Sequence, residues 1–470
     1  MPVLFWTDIL IFFLIALAVG FALYASGKEH LRLPWREVGR SRMAMSALVV
    51  LTLYVVIGVM DSIHYKPALD TEDGSGKTQY SNEVLSLFDW LTTGLRERQE
   101  KTYSAPFAIH LFSKEMVELP DGTQQRRFPR LIHGGAHLTA TGDRFGDIAG
   151  ISIRAVAKAV VLWVLLSLVI AKALAWKRGL ALGESLRNSI AGSAGVSWRA
   201  VLFSLLVVTI IGWTAFDLSQ QYHILGTDKV GEDVFYQSLK SIRTGLVIGT
   251  LTTLVMLPFA ILLGLMAGYF GGWVDDMIQY LYTTLNSIPS VLLIAAAILM
   301  MQVYVDNNAA EFASAAERAD LRLLFLCLIL GVTSWTGLCR YLRAESLKLR
   351  EIDYVQSAVA LGAGHAAIIA RHILPNVMHI VLITVVLDFS GLVLAEAVLS
   401  YVQIGVDPTT NSWGNMINSA RLEMAREPVV WWSLTAAFIF MFALVLAANL
   451  FSDAVRDAFD PRLRSGPGST

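Results

Sequence analysis

The chain has 470 residues, of which 55% are hydrophobic and 16% charged, with a net charge of −1. A soluble chain carries about 25% charged residues, so this balance excludes an ordinary soluble domain and points to membrane spans. Near-neutral charge gives no reason to expect a nucleic-acid partner.

Residues 3–24 read as a first span, with no basic run before it, which argues against a cleaved signal peptide. Residues 25–43 carry Lys28, Arg32, Arg36, Arg40 and Arg42 and belong on the cytoplasmic side by the positive-inside rule. A second span covers about 44–60, and a long polar section follows at 61–153. Further spans are expected at about 154–175, 199–217, 243–269, 277–304, 321–342, 377–399 and 430–451, each near the length a bilayer requires. Cys327 and Cys339 fall on one of them, about 18 Å apart along a helix and too far to bridge. The expectation is an all-α, polytopic membrane bundle of about nine transmembrane helices, with the N-terminus periplasmic and the C-terminus cytoplasmic. Its parts are N-terminal helices (1–60), a periplasmic insertion (61–153), an additional helix pair (154–217), a periplasmic entry segment (218–241), a transmembrane domain (242–452) and a cytoplasmic tail (453–470).

The loop between the spans at 321–342 and 377–399 is the most informative stretch. It carries Arg343, Lys348, Arg350 and Arg371, which place it in the cytoplasm. From Tyr354 to Leu361 the spacing predicts a short helix with Val355, Ala358, Val359 and Gly362 on one face. Gly362 stands where that helix ends, Gly364 continues the break, and Pro375 is expected to stop any second helix before the next span.

Gln356-Ser357-Ala358, three residues, Gly362, nine residues and His372-Ile373-Leu374-Pro375 together resemble the EAA loop of ABC importer permeases. Gln356, Ser357 and His372 stand where that pattern has Glu, Ala and Ile, and the Gln removes a charge. The stretches at 222–249, 395–424 and 453–464 resemble, in the same order, the C-type subunit of oligopeptide and dipeptide importers. The resemblance covers about half the chain and implies a type I ABC importer permease core with an N-terminal extension. It assigns Asp353, Tyr354, Gln356, Ser357, Ala358, Leu361, Gly362 and Pro375 to the ATPase-coupling loop. It implies a homologous B-type permease, two ATP-binding subunits and an extracytoplasmic substrate-binding protein as partners, with the bacterial inner membrane as the location. The family's first helix is either 35–54, which resembles its basic leader and first span, or the span at 199–217 adjacent to the core; the former is favoured and makes 61–217 an insertion containing two extra spans.

Other signals have bland readings beside the sharp ones. Gly-Ser-Gly-Lys-Thr at 74–78 is not a phosphate loop, because Thr71 occupies the first glycine position and no apolar strand precedes it. ATP hydrolysis is therefore expected on separate subunits, and no cofactor or metal on this chain. Asp388 lies mid-span, where an ionisable group is costly and a functional candidate by default. It either faces the translocation path and attracts a cationic group, or makes an interhelical hydrogen bond. Glu396 is expected to order the 397–428 turn. His365, His372 and His379 recur every seven residues, about 10 Å apart on a helix and beyond shared ligation of one metal. The His133–His137 pair reads as a structural turn. Gly264 and Gly268 suit close helix packing. The favoured function is a permease subunit for peptides or peptide-like solutes. The alternatives are an ion-coupled secondary transporter using Asp388 and, last, a membrane enzyme built on 61–153.

Overall fold

The computed structural model describes residues 1–27, 29–69, 79–118, 124–138, 143–179, 196–308 and 314–459. The Gly-Ser-Gly-Lys-Thr stretch and most of the C-terminal tail lie outside them. Among the described residues the α-helices, in chain order, are α1 (Trp6–Ser26), α2 (Glu29–Arg40), α3 (Arg42–Asp61), α4 (Leu87–Leu91), α5 (Thr93–Arg96) and α6 (Arg144–Arg178). They continue with α7 (Trp198–Ser219), α8 (Val234–Phe270), α9 (Gly272–Ser287), α10 (Ser290–Asn307), α11 (Ala315–Ser334) and α12 (Thr336–Arg350). The last are α13 (Asp353–Ala360), α14 (His365–Ile368), α15 (Leu374–Tyr401), α16 (Trp413–Glu423) and α17 (Trp432–Phe459).

Among the described residues, 8 helical stretches are long and apolar enough to cross a membrane, or 9 if one bent pair counts as a span. The chain is thus a polytopic all-α membrane protein. That bent pair corrects the single span expected at 277–304. Helices α9 and α10 meet at 85°, because Pro289 forces the preceding Ile288 into extended backbone, with φ −91° and ψ 130°. Pro258, by contrast, sits inside the uninterrupted 37-residue helix α8.

The chain divides into two compact units. The first comprises Met1–Val3, Trp35–Thr244 and Asn411–Ala454. Here the polar 61–153 section shares one core with the 222–241 stretch. Ser86 and Asp89 form a reciprocal capping box at the start of α4. The Asp89 carboxylate also accepts from Tyr236 Oη (2.6 Å) and Lys240 Nζ (2.5 Å). Gly226 and Gly231 both have positive φ. A Cβ on Gly231 would lie 1.7 Å from the Glu100 carbonyl oxygen, so only glycine lets the two backbones touch. Trp432 Nε1 donates to the Thr227 carbonyl at 2.9 Å and Trp413 Nε1 to the Ser238 carbonyl at 3.1 Å.

At the centre of this unit lie three buried ionisable groups. His223 Nδ1 is 2.7 Å from Asp233 Oδ2, and its Nε2 is 3.4 Å from Glu100 Oε1. Glu100 also accepts from the backbone N–H groups of Ile132, His133 and Gly134 at 2.8–3.1 Å. The His133 turn is therefore held by a carboxylate, as a structural turn. Burial would lower the His223 pKa, but the hydrogen bonds and charges of Asp233 and Glu100 overcome it and raise it to about 9. Burial likewise pushes the Glu100 carboxyl up, yet His223 and the three backbone donors bring it down to about 2.

The second unit comprises Leu4–Pro34, Gly245–Thr410 and the residues from Val455 onward. Its tightest contact joins α8 to α12. A Cβ on Gly264 would lie 2.8 Å from the Cys339 carbonyl oxygen, and one on Gly268 2.5 Å from Ser346 Cβ. Small residues let membrane helices approach closely, since lipid offers no hydrophobic drive for them to associate. Arg343 clamps Asp275 of α9 with two hydrogen bonds of 2.5 and 2.6 Å. Cys327 and Cys339 are both buried and unbridged. Helix α1 also belongs here, with the Thr7 backbone N–H donating to Asp320 at 3.3 Å.

Two predictions follow from this packing. Gly268→Leu should destabilise the chain by about 1–3 kcal/mol through overpacking and lower its thermal midpoint in detergent. Gly20→Leu, where a Cβ would meet nothing within 4 Å, should leave the midpoint unchanged. The buried charges also predict a pH profile. A raised His223 pKa contributes stability that is complete below about pH 6.5 and lost as pH rises through about 9. A lowered Glu100 pKa contributes stability present above about pH 4.5 and lost as pH falls toward 2. Thermal melts should therefore peak between these windows, and Glu100→Gln should flatten the acid limb. Melts of the parent chain that stay level from pH 3 to 10 would contradict the charge assignment.

Candidate functional site

Between α12 and α15 the chain leaves the long helices and returns to them within a short span, and this connection holds the candidate site. Its base is apolar. Leu349, Val355, Ile368, Ile373 and Val377 are buried in one cluster with Trp335, Leu338 and Leu342. Val355 is the one fully buried side chain of α13. Ala358 is half-buried against the same cluster. Val359, expected on that face, instead points outward and is 45% exposed.

Helix α13 starts after Ile352, whose backbone is extended, and carries Asp353 in its first turn. A carboxylate there suits the positive end of the helix. Its other end is closed by two backbone bonds, Ala363 N–H to Ala358 C=O (3.0 Å) and Gly362 N–H to Val359 C=O (2.9 Å). With Gly362 at φ +79°, this is a Schellman motif. The helix end expected at Gly362 is thus present, with a left-handed glycine as its cause.

Side-chain bonds fasten the helix to its surroundings. Gln356 Nε2 donates to the Arg350 carbonyl at 2.8 Å, so the residue standing where the resembled motif has Glu acts here as a donor to backbone. Asn376 Nδ2 donates to Tyr354 Oη at 3.0 Å. Tyr269 Oη and His365 Nδ1 are 2.8 Å apart, and Arg350 Nη1 donates to the Tyr269 carbonyl at 3.3 Å. These pairings were not legible in the sequence, where nothing links Tyr269 to His365. The Arg350–Glu351 and Lys348–Glu345 pairs, each 3.0 Å, are exposed and contribute little.

The structure corrects the reading of Pro375 as a stop. Gly364 is the N-cap of α14. From His365 the chain stays helical through a π-helical turn at Ile369–Ile373 into α15, with Pro375 at its start. The wider turn provides room for a ring that would clash with the preceding carbonyl in a regular helix.

What remains outward on α13 is a compact surface. Asp353, Tyr354, Gln356, Ser357, Val359, Ala360, Leu361 and Gly362 are exposed, and Leu361 is 87% so. A Cβ on Gly362 would meet nothing within 4 Å. The arrangement is a short helix, anchored from beneath by Val355 and connected at each end by a turn of a few residues to long apolar helices. It has a shape for docking.

Asp388 lies apart from this surface, half-buried within α15. No hydrogen bond or ion pair reaches its carboxylate among the described residues. Glu396 is 1% exposed and accepts from Ser400 Oγ at 2.7 Å. Gly405 folds back on Ser400, where a Cβ would lie 2.7 Å from Ser400 Cα. The glutamate therefore lies inside the last part of α15, before the turn that follows at Val402. The three histidines at 365, 372 and 379 do not act together: His365 pairs with Tyr269, and the His372 ring lies 6.2 Å from that of Tyr354.

Comparison with known proteins places this geometry in a family. Residues 260–465, which include the whole connection and Asp388, match the model of the binding-protein-dependent transport system inner membrane component. The chain is 30% identical to the glutathione transport system permease protein GsiD of Pectobacterium atrosepticum, over 60% of this chain and 89% of that protein. It is 31% identical to the oligopeptide transport system permease protein OppC of Mycobacterium bovis, over 52% of this chain and 77% of that protein. It is 28% identical to the dipeptide transport system permease protein DppC of Lactococcus lactis, over 51% and 64% respectively. With its apolar helices and this match across nearly all of one relative, the chain belongs to the inner-membrane permease components of binding-protein-dependent transport systems.

Proposed function

We propose that this permease forms one half of the translocation path of an ATP-driven importer for peptides or peptide-like solutes. The observation that carries the reading is α13, an exposed helix closed by a left-handed glycine, seated on a buried valine and joined to a long apolar helix on each side. Asp353, Tyr354, Gln356, Ser357, Leu361 and Gly362 form the docking surface for a separate ATP-hydrolysing subunit, with Ala358 seating the helix on the apolar cluster and Pro375 fixing the return helix. A homologous permease, two such ATPases and an extracytoplasmic binding protein complete the assembly. The N-terminus is periplasmic and the C-terminus cytoplasmic, which puts α13 on the ATP side.

In the proposed cycle, ATP closes the ATPase pair and draws the α13 helices of the two permeases together. Because Gln356 ties α13 to Arg350 and Tyr354 ties it to Asn376 across short turns, the push is passed to the flanking helices and shifts the population between inward- and outward-open states. The chain itself performs no covalent step. Asp388 is placed to meet a cationic group of the solute, such as an amino terminus, since an unpaired carboxylate at mid-span is costly unless it faces water or a charge.

Purification from native membranes should recover two ATPases and a second permease with this chain. Gly362→Asp should preserve membrane insertion, adding about 1–2 kcal/mol of backbone strain at a left-handed position, while abolishing ATPase recovery and uptake. Normal uptake by that variant would rule out α13 as the coupling element. Asp388→Asn should reduce uptake and leave ATPase recovery intact. Uptake driven by a proton gradient without ATP would transfer Asp388 to the role of a coupling group in a secondary transporter.

A further inference from the structure

Helix α6 has 35 residues, about 50 Å of helix, whereas the hydrocarbon of a bilayer is about 30 Å thick. Charge shows which end stands clear of it. Residues 159–171 of α6 and 200–216 of α7 carry none, and these runs end at Lys158 on α6 and Asp217 on α7. Lys158 Nζ donates to Asp217 Oδ2 at 2.7 Å. This pair therefore marks the level at which both helices leave the hydrocarbon.

A cleft of about 530 Å³ lies at that level, within the roughly 300–1,000 Å³ of ordinary ligand pockets. One face of α6 lines it, with Asp147, Ile151, Arg154 and Lys158 recurring at i, i+4, i+7 and i+11. The rest of the lining is Asp217 at the end of α7, Gln220 and Gln221 just past it, and His137. Two bases thus face two carboxylates. Asp147 Oδ2 is 2.7 Å from His137 Nε2 and accepts from Tyr222 Oη at 2.7 Å. Each carboxylate bonds through Oδ2, and its Oδ1 accepts no hydrogen bond among the described residues. Arg154 donates through Nε to the Gly150 carbonyl of its own helix at 3.3 Å, which leaves its two Nη groups for another acceptor. Farther along the same face of α6, on the hydrocarbon side of Lys158, Val161 and Leu165 are 60% and 55% exposed.

We propose that this cleft seats the headgroup of a zwitterionic phospholipid with a primary ammonium, as in phosphatidylethanolamine. Arg154 and Lys158, one helical turn apart, take the phosphate. The ammonium donates to the open oxygen of Asp217, and an acyl chain runs along Val161 and Leu165. A lining with equal numbers of bases and carboxylates suits a ligand that carries both signs. An anionic lipid would set its phosphate beside carboxylates with no cation to meet them, and a choline headgroup has no N–H to donate. A free peptide carries both charges but makes no use of the apolar strip below.

The test uses the full chain purified from membranes, with a benzophenone amino acid at Gln221, an exposed lining residue, and as control at Ile153, which is exposed on α6 but does not line the cleft. After reconstitution into vesicles of equal phosphatidylethanolamine, phosphatidylcholine and phosphatidylglycerol and irradiation, adducts are identified by mass. At Gln221, phosphatidylethanolamine adducts should exceed the other two, while Ile153 shows no preference. Arg154→Gln should reduce that excess about fivefold, the equivalent of about 1 kcal/mol for one exposed ion pair. Asp217→Asn removes the acceptor for the ammonium and frees Lys158, so phosphatidylglycerol should become the favoured adduct. A thermal midpoint equal to the parent's verifies that each variant is folded, and Arg154, being exposed, carries the test if Asp217→Asn is not. Equal labelling by the three lipids at Gln221, or an excess untouched by Arg154→Gln, would overturn the proposal. So would an adduct with residues 139–142 or with another subunit, since protein would then fill the cleft. Loss of all lipid adducts on adding soluble zwitterionic peptides would assign the cleft to a solute instead.

Discussion

The close approach of α8 and α12 at Gly264 and Gly268 is the contact on which the second unit depends. Membrane helices gain no hydrophobic drive from meeting one another, so their association rests on van der Waals fit and a few polar bonds. With a Cβ excluded at both glycines, the backbones meet and the side chains around them set the register. That register puts Arg343 within two-pronged reach of Asp275 and Arg350 against the Tyr269 carbonyl. Tyr269 in turn meets His365 on the return side of the connection. The α13 surface is thus attached at both ends to helices whose spacing the glycines determine. The breaks at Ile352 and Gly362 are bridged by side-chain bonds, from Gln356 to the Arg350 carbonyl and from Asn376 to Tyr354.

The first unit is organised by charge. Glu100, His223 and Asp233 come from three places in the chain and would each be costly alone in a buried site. Together, with three backbone donors on Glu100, every group has partners. Such networks are poor sources of net stability but define one arrangement, because any other leaves a buried charge uncompensated. The consequence is structural. The long polar section adheres to the 222–241 stretch through groups that fit only each other, and Gly231 at the Glu100 backbone completes the match.

The sequence made the short helix and its end legible because both depend on local rules. A left-handed terminus needs glycine, and Gly362 supplies it. The close contact at Gly264 and Gly268 was legible for a similar reason, since small residues four apart make a flat strip. Proline was less informative. Pro258 lies within a continuous helix, Pro289 bends a pair by 85°, and Pro375 begins a helix after a π-helical turn. A proline removes one donor and creates one clash. Whether the chain kinks, breaks or widens in response depends on which neighbours can receive the freed carbonyl.

From the sequence alone came the membrane-spanning character, the loop between two spans and the family resemblance, since all three rest on composition and spacing along the chain. Tertiary structure alone decided which side of α13 is buried, with Val355 inward and Val359 outward. It alone brought Glu100 to His223, Tyr269 to His365 and α6 against α7, and it left Asp388 without a partner among the described residues. The reason is the range of the forces. Helix periodicity, caps and hydropathy act over a few residues and can be read in order. A hydrogen bond across 123 positions depends on distances that exist only once the helices have packed.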